Sequence, residues 1–314
     1  MESSFNQTLN VSGGVVISWL LSAVTVFGNS LVILAFITEK SLRSNPTDLF
    51  ILNLSVADFL VGAFSFPLYT LWLMFGYWPF GEGVCKMWLI IDYTACAVSV
   101  CGIILISLDR YWMLKMKLKY RQFQTTKRVT VMIITTWIIC ILLYAIPIFC
   151  WKKFTGKKVE IDYSENCYME SGQAYKLVCL FFSFVIPLPI IIYLNSTVYK
   201  EIRQRTRRNH SVLNRNKSVF QAASVNTTMS SMRRHRKAAI TLAVLVSVFA
   251  ICWAPYNVVL IWNRVSDNSL DYIFVEVVTY LLWSNSAINP FLYALTNLKI
   301  RNVFFKFFCL KFFK

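Results

Sequence analysis

Seven stretches of this chain are apolar for long enough to cross a lipid bilayer, and that feature excludes nearly every soluble fold. They run approximately from Gly14 to Ile37, Pro46 to Trp72, Gly83 to Leu114, Val129 to Trp151, Ala174 to Lys200, Ala238 to Trp262 and Tyr272 to Leu295. Each reaches or exceeds the ~20 residues needed to cross roughly 30 Å of hydrocarbon at about 1.5 Å per residue. Only 15% of the 314 residues are charged and 57% are hydrophobic, whereas soluble domains carry about a quarter charged residues. Unpaired backbone groups are costly in lipid, so uncharged runs such as Val129 to Cys150 must be helices or closed barrel strands, and their length selects helices. The first run lacks the basic start and small-residue cleavage site of a secretory signal and reads as a mature helix. The expected fold is an all-α membrane protein: a tail over residues 1–13, a seven-helix body over 14–297, and an interfacial helix with a short tail over 298–314.

A net charge of +17 would suit nucleic acid if the cations were clustered on a soluble face. Here they lie between the apolar runs, so no nucleic acid is expected. With the N-terminus outside, all but seven of the 32 lysines and arginines fall on the cytoplasmic side, as the positive-inside rule requires. Asn6 and Asn10 then begin glycosylation sequons in the outer tail. The same pattern at Asn53, Asn195, Asn209, Asn216 and Asn226 falls in the membrane or cytosol and should stay unmodified. Cys85 and Cys167 are the two cysteines placed clearly in the oxidising compartment, and a bond between them would pin the loop after the fourth span over the bundle; the alternative is two free thiols. Cys96, Cys101, Cys140, Cys179 and Cys252 are expected to pack as small residues inside the membrane.

The third inner connection, residues 201–237, is basic at both ends and should continue its flanking helices into the cytosol around a mobile middle. Its charge suits anionic lipid or an acidic partner surface, or simply reflects the positive-inside bias. Beyond Tyr293, apolar residues Ile300, Val303, Phe304, Phe307 and Phe308 recur at helical spacing with Arg301, Lys306 and Lys311 between them, which describes a helix lying along the inner leaflet. Cys309 near its end is a candidate for palmitoylation.

Ionisable residues inside the spans cost several kcal/mol unless they face a cavity or a partner, which directs attention to Asp58 and Asp92. Asp92 lies seven residues after Cys85, about 10 Å inward, and 18 residues before Arg110, about 27 Å by helix rise. No intramembrane lysine or arginine offers itself as a partner, so a cationic ligand is the expected counter-ion. Tyr93, Trp253, Tyr256 and Trp283 fall at comparable depth, and their ring faces would attract an ammonium by roughly 0.5 to 2 kcal/mol each; aromatic core packing is the alternative. Asp58 shares mid-membrane with Asn29, Ser99, Asn285 and Asn289. A carboxylate among amides and hydroxyls suits a small cation (sodium) or water, or forms a self-satisfied structural network.

These residues make a pattern that resembles the rhodopsin-like class of G-protein-coupled receptors over nearly the whole chain. The pieces fall in order along the spans: Gly28-Asn29, Leu54-Ser55-Val56-Ala57-Asp58, Asp109-Arg110-Tyr111, Trp137, Pro187, Phe249 to Pro255 and Asn289-Pro290-Phe291-Leu292-Tyr293. The resemblance implies a plasma-membrane receptor that signals to heterotrimeric G proteins and binds arrestin. Asp92 matches the ammonium-binding aspartate of receptors for biogenic amines and acetylcholine. The segments Asp92 to Cys96 and Leu281 to Asn289 look like the histamine receptors of the immune and neuronal subgroup, whereas Tyr256-Asn257 is similar to the muscarinic pattern. Ser183 stands where that histamine subgroup has a glutamate, which counts against histamine itself; with Cys179 above it, Ser183 still suits a ligand hydroxyl. By resemblance the coupling is inhibitory. The resemblance further implies that Trp253 moves on activation, with Pro187, Val100 and Phe249 beneath the pocket, and that Pro255 lets the sixth span kink and swing. Arg110 would then meet the G protein, and Leu118 matches the family's apolar loop residue that docks on it.

Three departures from the pattern stand out. His235 replaces an acid that pairs with Arg110 in many relatives, Asn195 replaces a tyrosine and Lys117 a proline. Together they imply raised basal activity, readable as second-messenger output without ligand. Rival functions fare poorly. A cation transporter would need inverted repeats or paired broken helices, and an enzyme needs a catalytic constellation that two histidines, His210 and His235, both in the third inner connection, do not supply. Within receptors, a peptide or lipid ligand is the alternative to an amine. No cofactor is expected apart from the sodium ion.

Overall fold

The computed structural model describes residues 2–155, 165–169, 173–215, 222–266 and 270–312. Its elements are helices, with no strand among the described residues. Helix α1 spans Glu2–Thr38, so it extends outward through the expected tail. Helix α2 is built from Asp48–Leu60 and Phe66–Phe75 joined by a wide turn over Val61–Ser65. Helix α3 is Gly81–Met116, α4 is Thr126–Thr155, and α5 joins Gln173–Leu180 to Pro187–Arg215 through a second wide turn, Phe181–Val185. Ala222–Val265 forms α6, Tyr272–Thr296 forms α7 and Leu298–Phe312 forms α8. The third inner connection is thus helical to Arg215 and again from Ala222; its expected mobile middle, residues 216–221, lies outside the described residues. So do the side chains of Asn6, Asn10, His210, His235, Phe308, Cys309 and Lys311.

Proline accounts for both wide turns. Pro67 and Pro187 lack an N–H and press their rings on the preceding turn, which a helix relieves by widening to i→i+5 bonding. In α5 the Ile186 amide accordingly donates to the Phe181 carbonyl at 2.9 Å.

Six described stretches are both long and apolar enough to cross a membrane. The sequence suggested seven. Helix α7 has the length, at 25 residues, but carries Glu276, Ser284, Asn285, Ser286 and Asn289. It spans as part of the bundle because those polar residues are mostly buried against other helices, with Asn289 fully enclosed. Helix α3 is the axis of the bundle and touches α2, α4, α5 and α6, while α7 closes the ring between α6 and α1. Close approach at that closure depends on Gly28, where an added Cβ would stand 3.0 Å from Pro290 Cγ. Phe50, Leu54, Phe66, Ile103 and Phe249 fill the core with no exposed surface.

On the outer side Cys85 and Cys167 are bonded, with Cα atoms 5.6 Å apart. Trp78 is fully buried beside them, stacked on Trp88, and its backbone N–H donates to the Glu165 carbonyl at 2.9 Å, so the loop after α4 is tied down twice. On the inner side α8 turns away from α7 at Asn297 and buries Ile300, Val303 and Phe304 against α1 and α7. Phe307 meets Phe27 edge-on at 5.5 Å.

Candidate functional site

The outer half of the bundle encloses a cavity of about 360 Å³. All nine residues that the sequence pointed to as ligand contacts line it: Asp92, Tyr93 and Cys96 from α3, Cys179 and Ser183 from α5, Trp253, Tyr256 and Asn257 from α6, and Trp283 from α7. Asp92 is half-buried, and Cys96 one turn below offers its thiol to Oδ1 at 3.9 Å. Ser65 and the Trp283 indole also flank the carboxylate. Among the described residues the ion pairs are Lys86 with Glu82, and Lys115 and Arg205 with Glu201, so no basic side chain neutralises Asp92. It is also the cavity's single acidic lining residue.

The rest of the lining is aromatic and weakly polar. Trp253 forms the floor, tilted against Phe249 at 5.5 Å, and Phe249 meets Phe184 at 6.2 Å, with Val100 and Pro187 buried nearby. The Asn257 amide donates to the Trp253 carbonyl at 2.7 Å, and its side chain lines the cavity. Ser183 sits inside the wide turn of α5, where the extra residue changes which side chains face inward and brings it to the cavity wall. Four more lining tyrosines and methionines escaped the sequence reading: Tyr144, Tyr168, Met169 and Tyr175. Tyr144 stacks on Tyr93 with centroids 5.3 Å apart and rings 17° from parallel. No sequence signal marks these residues in an aromatic-rich chain, except that Tyr168 and Met169 follow Cys167 into a loop the disulfide holds over the opening.

A second centre lies deeper. Asp58 is fully buried and accepts from Ser99 Oγ at 3.1 Å and from Asn289 Nδ2 at 2.8 Å. Ser286, which the sequence places beside Asn285 without pointing to Asp58, also reaches that carboxylate, and its carbonyl accepts from Asn29 Nδ2 at 3.1 Å. The side-chain oxygens of Asn29, Asn285 and Asn289, and the Tyr293 hydroxyl, are buried without a protein partner. A carboxylate with several unfilled oxygens nearby matches the donor set of a hard cation or of ordered water. No group of three His, Cys, Asp or Glu side chains suited to a metal occurs among the described residues.

At the inner face, Asp109 is fully buried and accepts from the Tyr120 hydroxyl at 2.6 Å and from Gln124 Nε2 at 2.8 Å. Neither partner was anticipated. Arg110 and Tyr111 are half-buried, and Arg110 makes no ion pair among the described residues. Asn195 donates to Ser107 Oγ at 2.9 Å, tying α5 to α3. Leu118 is 93% exposed on the connection between α3 and α4.

A bundle of membrane-length helices around an outer cavity, with a loop tied across its mouth by a disulfide, is the arrangement of a receptor. The family model described as 7 transmembrane receptor (rhodopsin family) matches residues 28–293, and the chain belongs to that family: it is a G-protein-coupled receptor of the plasma membrane, not an enzyme. Its relatives narrow the class. It is 31% identical to the histamine H2 receptor of Cavia porcellus over 94% of this chain and 79% of that one. It is 30% identical to the histamine H4 receptor of Rattus norvegicus, covering 98% of this chain and 96% of the other. With the D(1)-like dopamine receptor of Takifugu rubripes it shares 29% identity over 88% of this chain and 65% of that receptor.

Proposed function

We propose that this receptor is switched on from outside the cell by a small organic amine whose ammonium pairs with Asp92, and that it then activates a heterotrimeric G protein of the inhibitory class. The observation that carries this reading is the bare carboxylate: Asp92 faces a cavity lined by tyrosine and tryptophan, and no basic side chain among the described residues meets it. A charge sheltered from bulk water in this way is relieved when an opposite charge arrives, and aromatic ring faces favour an ammonium. The names of the relatives, receptors for histamine and for dopamine, point to the same ligand class. Ser183 and Asn257 supply the hydroxyl- and amide-binding end. A peptide or lipid without a cationic group would leave the carboxylate uncompensated.

Signalling requires no chemistry, only a ligand that binds one bundle conformation better; a 100-fold preference shifts the equilibrium by about 2.7 kcal/mol. Trp253 and Phe249 beneath the cavity are the side chains through which the shift reaches Arg110, Tyr111 and Leu118. Arrestin and anionic inner-leaflet lipid are the further partners. The test is a panel of amines, histamine and dopamine included, scored for G-protein activation on the native receptor and on Asp92→Asn. Loss of at least 100-fold in potency with surface expression intact is the expected outcome; an undiminished response would refute the pairing.

The same reading sets the N-terminus outside, with Asn6 and Asn10 glycosylated. Peptide N-glycosidase should therefore sharpen and speed the receptor band on a gel, and an Asn6→Gln, Asn10→Gln double variant should migrate like the treated protein.

A further inference from the structure

The connection between α3 and α4, residues 117–125, carries the exposed Leu118, and it is held from two sides. One hold is the pair of hydrogen bonds from Tyr120 and Gln124 to Asp109 described above. The other is built on Arg128, in the first turns of α4. Its guanidinium carbon lies 3.5 Å from the centroid of the Phe123 ring and 5.5 Å from that of Trp112, on the inner end of α3. Trp112 and Phe123 in turn meet edge to face at 5.3 Å and 74°. Arg128 makes no ion pair among the described residues, so the two rings are what its side chain engages. The Arg128 amide also donates to Thr125 Oγ1 at 3.3 Å, which fixes the start of α4 against the end of the connection.

The placement of the stack matters. Phe123 ends the short helix Tyr120–Phe123, which follows directly on the turn Lys117–Lys119 that bears Leu118. Lys117 holds φ at 51°, the single positive value at a residue other than glycine among those described. That conformation is disfavoured for a side chain such as lysine and persists only when its surroundings impose it. The restraints lie on both flanks: α3 before it, and the Phe123 and Asp109 anchors after it.

We propose that Arg128 is a positioning residue for G-protein coupling: by clamping Phe123 onto Trp112 it fixes the turn that presents Leu118 to the G protein. This rests on the reading of Leu118 as a G-protein contact. Planar guanidinium stacking over one ring, with a second ring at its side, gives direction as well as attraction, which a lysine ammonium reproduces only in part.

The test uses the full-length receptor purified in detergent, where no bilayer phosphate is available to Arg128, and compares Arg128→Gln, Arg128→Lys, Phe123→Ala and Leu118→Ala. Backbone hydrogen exchange of residues 117–124 should quicken in Arg128→Gln and Phe123→Ala, with Arg128→Lys in between. Nucleotide exchange on a reconstituted inhibitory-class G-protein trimer, measured without ligand and with the most active amine of the panel above, should fall about two- to tenfold in Arg128→Gln. On a Leu118→Ala background the same substitution should add almost nothing, because both changes act through one contact. A variant that merely lowered the amount of folded receptor would instead multiply the two losses. Unchanged hydrogen exchange in Arg128→Gln overturns the proposal, as do losses that multiply. If Leu118→Ala couples normally, the G-protein reading of Leu118 fails, and hydrogen exchange still decides whether Arg128 fixes the turn.

Discussion

Two aspartates inside one bundle have been given different companions, and those companions separate their roles. Asp92 meets a thiol, an indole and open space, whereas Asp58 meets the hydroxyl of Ser99 and the amide of Asn289 in a fully enclosed site. We propose that the unfilled oxygens around Asp58 hold sodium together with water. A hard cation there should stabilise the conformation that encloses it and oppose amine agonists. Replacing choline by sodium in the buffer is then expected to raise the melting temperature of the receptor and weaken agonist binding, and Asp58→Asn should abolish both effects. If the variant keeps its full sodium response, the ion sits elsewhere. Both carboxylates were legible in the sequence because a charge in an apolar run is conspicuous. Tyr144 and Tyr175 were not. Tyr144 reaches the cavity because it stacks on Tyr93, and Tyr175 because its hydroxyl is held by the Leu143 carbonyl, pairings that no spacing within one span encodes.

Hydropathy found six of the spans as helices long and apolar enough to cross lipid, since crossing lipid is a property of one helix at a time, but it did not set the ends of α1, α5 and α6, which run on well beyond their apolar stretches. How helices lock together is a property of pairs, and there the sequence was weaker. Gly62 begins no motif, yet it lies where α1 and α2 approach closely. Its carbonyl accepts from Ser22 Oγ at 2.8 Å, and an added Cβ would stand 2.9 Å from Thr25 Cγ2 and 3.0 Å from Val26 Cγ2. Those atoms are the short, stiff branches of β-branched side chains and have little room to give. Gly62→Val should therefore push the two helices apart at a loss of roughly 1–3 kcal/mol, seen as a lower melting temperature and reduced surface expression. Wild-type stability in that variant would show the interface to be looser than its geometry. The wide turns in α2 and α5 lie between these extremes: Pro67 and Pro187 mark their positions, but periodicity alone gives no sign that Ser183 comes to the cavity wall.

For the molecule as a whole, direction comes from an asymmetry between its two ends. The outer end is roofed by a covalently tied loop and the buried Trp78, while the inner end presents Leu118 and the long helical extensions of α5 and α6. A shaped cavity at one end and the exposed Leu118 at the other are linked by a core centred on α3.

Helix α7 has one more consequence, which concerns how the receptor is made. Glu276 receives a hydrogen bond from Tyr280 at 2.8 Å and packs where α1 has Gly14; Asn289 bonds Asp58 of α2. In an empty bilayer those groups would face hydrocarbon, so this segment gains little by leaving the translocon alone. Its partners in α1 and α2 precede it in the chain, so α7 is expected to leave the translocon into contact with helices already made rather than into bare lipid. Closure of the seam between the first helix and the seventh is then expected to come late in assembly.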